Sequence, residues 1–162
     1  MGESSQMIKS INSQGKYLTF RLGNEEYGLG IMMIKEIIGM MPITAIPQTP
    51  SYVKGVINLR GKVIPVVDLR LRFSMEEVPH DDRTCIIVAD IGGEAADVLV
   101  GLIVDSVSEV MNIDSDKIEP PPSFGITLDT DYILGIAKSD SDVRILLDIG
   151  RVFSDNEISG FR

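Results

Sequence analysis

Apolar and polar residues alternate along short stretches of this chain, and glycine, proline or acidic residues end most of these stretches. A period of two is typical of β-strands that bury one face, and no long amphipathic helix is indicated. The sequence therefore predicts a mainly β protein with short strands and frequent turns, which favours small barrels. The predicted strands are YLTFRL, EEYGL, VKGVINL, KVIPVVDL, TCIIVADI, ADVLVGLIVDSV, SEVMNI, YILGIAKS and DVRILLDI.

Turn-forming residues define the predicted connections between these strands. Gly23-Asn24 and Arg60-Gly61 each lie between two strand patterns and predict two-residue hairpin turns. Asp68 and Asp148 each predict the start of a short helical turn, because Asp is a favoured residue at the N-cap. The segment IMMIKEII is apolar all round, so it predicts either a short helical turn or a buried strand.

The chain predicts one ordered domain with a tail at each end. Residues 1–15 are polar, small and aperiodic, so we expect a flexible N-terminal tail, followed by a domain over 16–155 and a C-terminal tail over 156–162. The N-terminus lacks the apolar core and cleavage site of a secretory signal. The apolar stretches are too short for a helix to span a bilayer. We therefore expect a cytoplasmic protein with no direct membrane insertion.

The two halves of the chain match each other, which indicates a duplicated fold. Glycine, tyrosine and acidic residues of the first half recur in the same order in the second half, at offsets that increase from 69 to 73 to 80 residues. The matching pairs are Gly23 with Gly92, Gly28 with Gly101, Glu36 with Glu109, Tyr52 with Tyr132, Gly55 with Gly135 and Asp68 with Asp148. Positions that match are expected to serve the fold, so unmatched polar positions are free to serve function. The segment Asn58-Leu59-Arg60-Gly61 has no counterpart, and this asymmetry singles out Arg60.

Charge and metal-ligand content exclude several classes of function. The 24 acidic and 15 basic residues give a net charge of −9, which opposes non-specific binding to nucleic acid or to an anionic membrane. The single cysteine, Cys85, excludes an internal disulfide framework, and together with the single histidine, His80, it excludes ordinary zinc sites. No metal or cofactor is predicted.

The sharpest enzymatic hypothesis uses the duplicated acids. Two lobes that each offer an Asp after an apolar strand would fit an aspartyl-type hydrolase, in which two carboxyl groups share a proton. Asp148-Ile149-Gly150 resembles half of the required motif, but Asp68-Leu69-Arg70 lacks both its hydroxyl residue and its glycine. We therefore interpret Asp68 and Asp148 as caps, and we expect a protein that binds partners and has no catalytic residues.

Four segments of the chain together closely resemble the chemotaxis coupling protein family, CheW. They are YLTFRLGNEEYGLGIMMIKEII, TPSYVKGVINLRGKVIPVVDLRLRF, VGLIVDSVSEVMNI and PPPSFGITLDTDYILGIAKSDSDVRILLDI. The central KGVINLRGKVIPVVDLR is the most specific of them. The resemblance implies two packed, SH3-like, five-stranded β-barrels with short helical turns. It also implies that the barrels interleave, so that a repeat need not coincide with a barrel.

The resemblance further implies an adaptor that is not an enzyme. Its expected partners are the cytoplasmic hairpin tip of transmembrane chemoreceptors and the regulatory domain of the histidine kinase CheA, at membrane-associated receptor arrays. The receptor-facing groove should include Ile34, Glu36, Gly55 and Arg60, and the ring-forming contact with the kinase should use the loop that carries Phe124. A scaffold of a non-motility chemosensory kinase pathway is the alternative on the same fold.

Overall fold

The computed structural model describes residues 15–92, 97–121, 132–139 and 141–153. Within these ranges short strands dominate, and short turns join them. The strands are β1 (Lys16–Leu22), β2 (Glu25–Gly30), β3 (Ile34–Gly39), β4 (Val53–Leu59), β5 (Lys62–Asp68), β6 (Cys85–Asp90), β7 (Leu99–Val104), β8 (Ser106–Asn112), β9 (Ile118–Glu119), β10 (Ile133–Lys138) and β11 (Val143–Leu147). The helices α1 (Leu69–Arg72) and α2 (Ile149–Val152) are single turns, as are two 3-10 segments, Ile31–Met33 and Ser115–Lys117.

The strands form two sheets, and each sheet combines strands from both repeats. The six-stranded sheet has the order β8-β1-β2-β11-β10-β9, and the five-stranded sheet has the order β3-β6-β7-β5-β4. If β6, β7, β8, β10 and β11 are taken as the second copies of β1 to β5, the two orders are the same. Each repeat thus places its first hairpin in the sheet of the other repeat. The mainly β, pseudo-duplicated architecture predicted from the sequence is confirmed, and the two-residue strand β9 is an addition to it.

The apolar core has three parts that follow this arrangement. A central cluster contains residues of both sheets, among them Phe20 and Leu147 from one and Ile87 from the other. A smaller cluster lies within the five-stranded sheet and includes Ile86, while a third lies within the six-stranded sheet around Leu146. Neighbouring residues such as Ile86 and Ile87 are therefore buried on opposite faces of one strand.

The five-stranded sheet closes upon itself through the segment that follows β3. Thr44 and Val56 exchange two backbone hydrogen bonds, each 2.9 Å from nitrogen to oxygen, so the outer edge of β4 is covered. The sheet order places β3 and β4 at opposite edges, and the segment leaving β3 brings those edges together. This is the closure expected of a small barrel, which removes exposed strand edges.

The segment IMMIKEII contains both of the structures that its pattern allowed. Ile31–Met33 form a 3-10 turn, and β3 begins at the next residue. The register of β3 against β6 shifts between Ile34 and Glu36, because Ile34 lies opposite Ala89 and Glu36 lies opposite Val88. Lys35 is therefore the extra residue of a β-bulge.

Equivalent local features in the two repeats support the duplication. Asp68 N donates to Tyr52 O, and Asp148 N donates to Tyr132 O, both at 2.8 Å. The register of β4 shifts just before Gly55, and that of β10 shifts at the equivalent position before Gly135. The backbone conformation of the two copies is thus similar even where their side chains differ.

The joint between the repeats uses aromatic rings in two different ways. The rings of Phe73 and Tyr132 stack directly, with centroids 5.4 Å apart. Their counterparts, Phe153 and Tyr52, have the guanidinium of Arg72 between them, 5.9 and 5.3 Å from the ring centroids. Arg72 Nη2 also donates to Val152 O, at the end of α2. Stacked rings and cation–π contacts are favourable at such distances, so both copies of the joint are stabilised.

Gly55 is required by the closure of the five-stranded sheet. Its φ of +142° lies in a region that residues with a side chain rarely adopt, and a Cβ at this position would lie 2.0 Å from Thr44 O. The carbonyl cannot move away without breaking the hydrogen bonds between Thr44 and Val56. Only glycine fits at this close approach of two backbones.

We predict that Gly55→Ala lowers the free energy of unfolding by roughly 1–3 kcal/mol or more, through the added clash and backbone strain. Gly39→Ala is the matched control, because Gly39 lies in a strand with open space around its Cα and no positive φ. The control should change stability by at most about 0.5 kcal/mol. Urea denaturation of both variants measures this, and equal midpoints would contradict the role given to Gly55.

Candidate partner-binding site

The tip of the β4–β5 hairpin presents Arg60 in a strained backbone conformation. Arg60 and Gly61 have φ values of +51° and +86°, as in the type I′ turn, which prefers Asn, Asp or Gly at both positions. The Asn58 Oδ1 atom accepts a hydrogen bond of 2.9 Å from Gly61 N and stabilises the turn. An arginine in the left-handed region costs of order 1 kcal/mol. The fold has no need of this side chain, which points to a function for it.

The bulge in β3 separates the side chains of Ile34 and Glu36. Ile34 packs against the central cluster of both sheets, whereas Glu36 lines a cleft at the end of the five-stranded sheet. Strict alternation would place both side chains on one face, but the extra residue Lys35 reverses the direction of Ile34 relative to Glu36. Of this predicted pair, only Glu36 faces the hairpin tip.

Arg60 and Glu36 form an ion pair between Nη2 and Oε1. The two residues come from opposite edges of the five-stranded sheet, so the pair joins the hairpin tip to β3. The Arg60 side chain is 70% exposed and that of Glu36 is 31% exposed. A pair in contact with water contributes at most about 1 kcal/mol, so either group can exchange its partner at little cost.

The cleft beside this pair has an apolar floor and a charged rim. Its volume is about 400 Å³. The residues that line it are Lys35, Glu36, Leu59, Arg60, Lys62, Ile64, Val88, Asp97 and Leu99. A surface of this kind suits a protein segment that buries an apolar side chain and pairs its polar groups at the edge. We call it the hairpin cleft.

The structure brings together two of the five residues predicted for partner contacts. Glu36 and Arg60 lie in the hairpin cleft. Ile34 faces the central cluster, and Gly55 is buried beneath Thr44, where it meets the backbone constraint described above. Phe124 lies outside the described residues.

Sequence reasoning missed a set of exposed apolar side chains that occur as repeat counterparts. Val63 and Val143 are 70% and 55% exposed, and Ile37 and Val110 are 44% and 52% exposed. Each sheet therefore presents two aliphatic side chains to solvent at equivalent places. Aligning the two repeats could have found these pairs. The alternation of apolar and polar residues could not, because an aliphatic residue in a strand pattern is read as part of the core.

The two acids of the hydrolase hypothesis have separate structural partners. Asp68 is buried, and its Oδ1 accepts a hydrogen bond of 2.9 Å from Arg70 N, so it caps α1 as predicted. Burial raises the pKa of Asp68, although hydrogen bonds from the backbone of Arg70 and Leu71 oppose this. Asp148 occupies the N-cap position of α2 as predicted, but its side chain makes no capping hydrogen bond and pairs with Arg151 at 3.4 Å.

The remaining candidate groups show no built chemical site. Cys85 is half-buried, and burial raises the pKa of its thiol, so the thiol is not activated. Among the residues that the structure describes, no cluster of His, Cys, Asp and Glu is suited to a metal ion. The same ranges contain no helix with the length and hydropathy needed to cross a bilayer.

Comparison with known proteins assigns the family. The family model described as the CheW-like domain matches residues 16–157. The chain belongs to the CheW family. Its relatives include a chemotaxis protein CheW from Klebsiella aerogenes, which is 40% identical over 144 residues and matches across 89% of this chain and 84% of the relative.

Two further relatives extend the comparison. Protein FrzA from Myxococcus xanthus is 29% identical over 142 residues, across 88% of this chain and 86% of the relative. The crystal structure of the scaffolding protein TtCheW from Thermoanaerobacter tengcongensis is 42% identical, with a TM-score of 0.77 over 88% of this chain and 94% of that one. The family assignment places this chain among the scaffolding proteins of chemotaxis signalling.

We predict that the two acids differ in their effect on stability. Asp68→Ala should cost about 0.5–2 kcal/mol, because it removes the cap of α1. Asp148→Ala should cost less than about 1 kcal/mol, because it removes only a pair with the exposed Arg151. Thermal or urea unfolding checks this, with Asp68→Asn as the control that retains a capping oxygen. Equal losses for Asp68→Ala and Asp148→Ala would contradict the assignment.

Proposed function

We propose that this chain is a non-catalytic adaptor that couples transmembrane chemoreceptors to the histidine kinase CheA and supports array assembly. The observation that carries the proposal is the strained Arg60 at the tip of the Asn-Leu-Arg-Gly turn, paired with Glu36 beside an open cleft. In this proposal the chain is cytoplasmic and is recruited to membrane-associated receptors through protein contacts, without inserting into the membrane.

The hairpin cleft supports the receptor contact. Leu59, Val88 and Leu99 supply an apolar floor, against which a side chain of the receptor's cytoplasmic hairpin tip could pack. Arg60 would exchange Glu36 for a receptor carboxylate or backbone carbonyl, which charge-assisted hydrogen bonds favour. Ile34 and Gly55, also expected at this contact from the family resemblance, act in the proposal by fixing the position of β3 and β4.

The absence of catalysis is supported by the partners of Asp68 and Asp148. A pair of acids that share a proton must lie within hydrogen-bonding distance of each other or of one water. Here Asp68 accepts from the backbone of α1, and Asp148 pairs with Arg151. An aspartyl-type hydrolase is therefore the less favoured hypothesis, and peptide cleavage that is lost in an Asp68→Asn, Asp148→Asn protein would support it.

The matched exposed aliphatic residues support the kinase contacts. Val63 and Ile37 lie on one sheet, and Val143 and Val110 lie at equivalent places on the other. The regulatory domain of CheA is the expected partner, and matched exposed side chains on both sheets would allow one chain to contact two neighbours. The loop of Phe124 is proposed to supply the ring-forming contact, as the family resemblance implies.

The relationship to FrzA, which is not named as a chemotaxis protein, favours one second candidate. A scaffold of a non-motility chemosensory kinase pathway would use the same fold with different partners. Affinity purification from a native lysate separates the two candidates. Recovery of motility receptors supports the first, and recovery of another receptor–kinase set supports the second.

We predict that Arg60→Ala weakens receptor binding by roughly 1–3 kcal/mol, as expected for a charged hydrogen bond lost at an interface. Stability should be unchanged, because the pair with Glu36 is exposed. Arg60→Asn should lose binding equally while it relieves strain in the turn. Arg21→Ala removes the same charge from the exposed face of β1 and is the control. Normal kinase activation by Arg60→Ala with receptors and CheA would overturn the assignment.

We predict that Phe124→Ser preserves receptor binding and the one-to-one contact with the kinase regulatory domain but abolishes larger rings. An aromatic anchor loses little conformational entropy on binding, so its removal should act on association and leave the melting temperature nearly unchanged. Light scattering of the mixture measures ring size, with Phe124→Leu as an apolar control. Rings of normal size from a stable Phe124→Ser protein would exclude this role.

A further inference from the structure

A second cleft lies in the six-stranded sheet, away from the hairpin cleft. Its volume is about 460 Å³. The residues that line it are Met111, Asn112, Ile113, Asp116, Lys117, Ala137, Lys138, Ser139 and Arg144. We call it the distal cleft. Its floor is apolar, and three of its side chains are cationic, although the protein as a whole carries a net charge of −9.

The duplication supplies an internal comparison for Arg144, the least exposed of the charged residues that line this cleft. Arg144 lies opposite Glu26 where β11 runs parallel to β2. At the repeat offsets of 80 and 73, their counterparts are Ile64 and Leu99 on β5 and β7, which both line the hairpin cleft. The five-stranded sheet therefore places two aliphatic side chains where the six-stranded sheet places an ion pair. The fold itself does not require charge at this position.

The ion pair is largely but not fully buried, and its geometry is imperfect. The side chains of Arg144 and Glu26 are 14% and 18% exposed, and Arg144 Nε lies 3.6 Å from Glu26 Oε2, beyond hydrogen-bonding distance. Arg144 Nε is buried without a hydrogen-bond partner among the described residues. Buried pairs of poor geometry are commonly less stable than apolar residues of similar volume. The guanidinium of Arg144 therefore keeps hydrogen-bonding capacity that a ligand can use.

The residues that line the distal cleft carry more positive than negative charge, although Arg144 pairs with Glu26 and Lys138 pairs with Glu119. Lys117 and Lys138 line it together with Arg144, and Asp116 is the acid among the lining residues. Glu119 pairs with Lys138 at 2.6 Å, but these side chains are 54% and 62% exposed. Because exposed pairs are weak, an entering anion can replace Glu119 as the partner of Lys138.

We propose that the distal cleft binds a small organic oxyanion, whose carboxylate or phosphate group contacts Arg144, Lys117 and Lys138. The apolar floor of Met111, Ile113 and Ala137 would accept the hydrocarbon part of such a molecule. Arginine suits both oxyanions, because its planar guanidinium can donate two parallel hydrogen bonds. The site is independent of the proposed adaptor function, since receptor and kinase take no part in it.

Titration of the full chain with two probes tests the proposal. Isotope-labelled protein is titrated with glutarate and with inorganic phosphate, at constant ionic strength maintained with sodium chloride, and binding is followed by NMR. Saturable shifts at the residues of the distal cleft with either probe support the site, and the probe that binds more tightly identifies the carboxylate or phosphate class. If neither probe saturates relative to chloride, the proposal is overturned.

A double variant separates binding from folding and from net charge. Glu26→Leu, Arg144→Ile installs the residue types of the five-stranded sheet and leaves the net charge unchanged, so it should remain folded. Its affinity for the oxyanion should fall by roughly ten- to a hundredfold, the effect expected for losing a charged hydrogen bond. Unchanged affinity in this variant would overturn the assignment.

Single lysine variants keep the test valid if the double variant does not fold. Lys117→Met lies at the exposed rim of the distal cleft and should weaken binding, whereas Lys62→Met removes the same charge from the hairpin cleft and should not. Equal effects of the two variants would show general electrostatic attraction and would contradict a specific site. Receptor coupling is measured on the same proteins and is expected to be normal for Lys117→Met. A loss of oxyanion binding can therefore be distinguished from a loss of the adaptor function.

Discussion

The exchange of hairpins between the repeats is the constraint on which the rest of the structure depends. β2 pairs in parallel with β11, and β5 pairs in parallel with β7, so each sheet is completed only by the other repeat. Gly28 lies in the first contact, where a Cβ would come within 2.8 Å of Leu146 on β11, and Gly101 lies in the second, where a Cβ would lie 3.4 Å from Val66 on β5. Because the central cluster draws on both sheets, neither sheet can move without opening the shared core. The two clefts are therefore held at a fixed separation on one rigid body.

The sequence predicted the features that depend on local chemistry. Alternation located the strands, Gly23-Asn24 and Arg60-Gly61 were correctly assigned to turns, and the glycine and tyrosine correspondences revealed the duplication. The partner of each strand could not be derived in this way. Periodicity reports which face of a strand is buried but carries no information on which strand lies beside it. The interleaving came from the family resemblance, and the sheet order agrees with it.

The sequence predicted the candidate site less completely than the fold, for identifiable physical reasons. The missing repeat counterpart pointed to Arg60, but its contact with Glu36 depends on closure of the sheet and joins positions on opposite edges. Ile34 was expected beside Glu36 from the family resemblance, and alternation could not correct this because it does not reveal a bulge at Lys35. Asp148 has the same residue type as Asp68 but not its hydrogen bond, so residue type alone did not determine the cap. In the distal cleft, Arg144 stands out only against its repeat counterpart Ile64, because a single charged residue in a strand pattern does not indicate a binding site.

The parallel contact between β2 and β11 also has a consequence for biosynthesis. β2 ends at Gly30, but its neighbour in the sheet is Val143–Leu147, which follows only after eight further strands. On the ribosome, the first hairpin therefore emerges long before the strand that completes its sheet. Contacts of such large sequence separation slow folding, because the loop must be closed before the contact contributes. The nascent chain must keep an unpaired β2 edge until β11 has been synthesised, which makes this edge a natural place for a chaperone to protect.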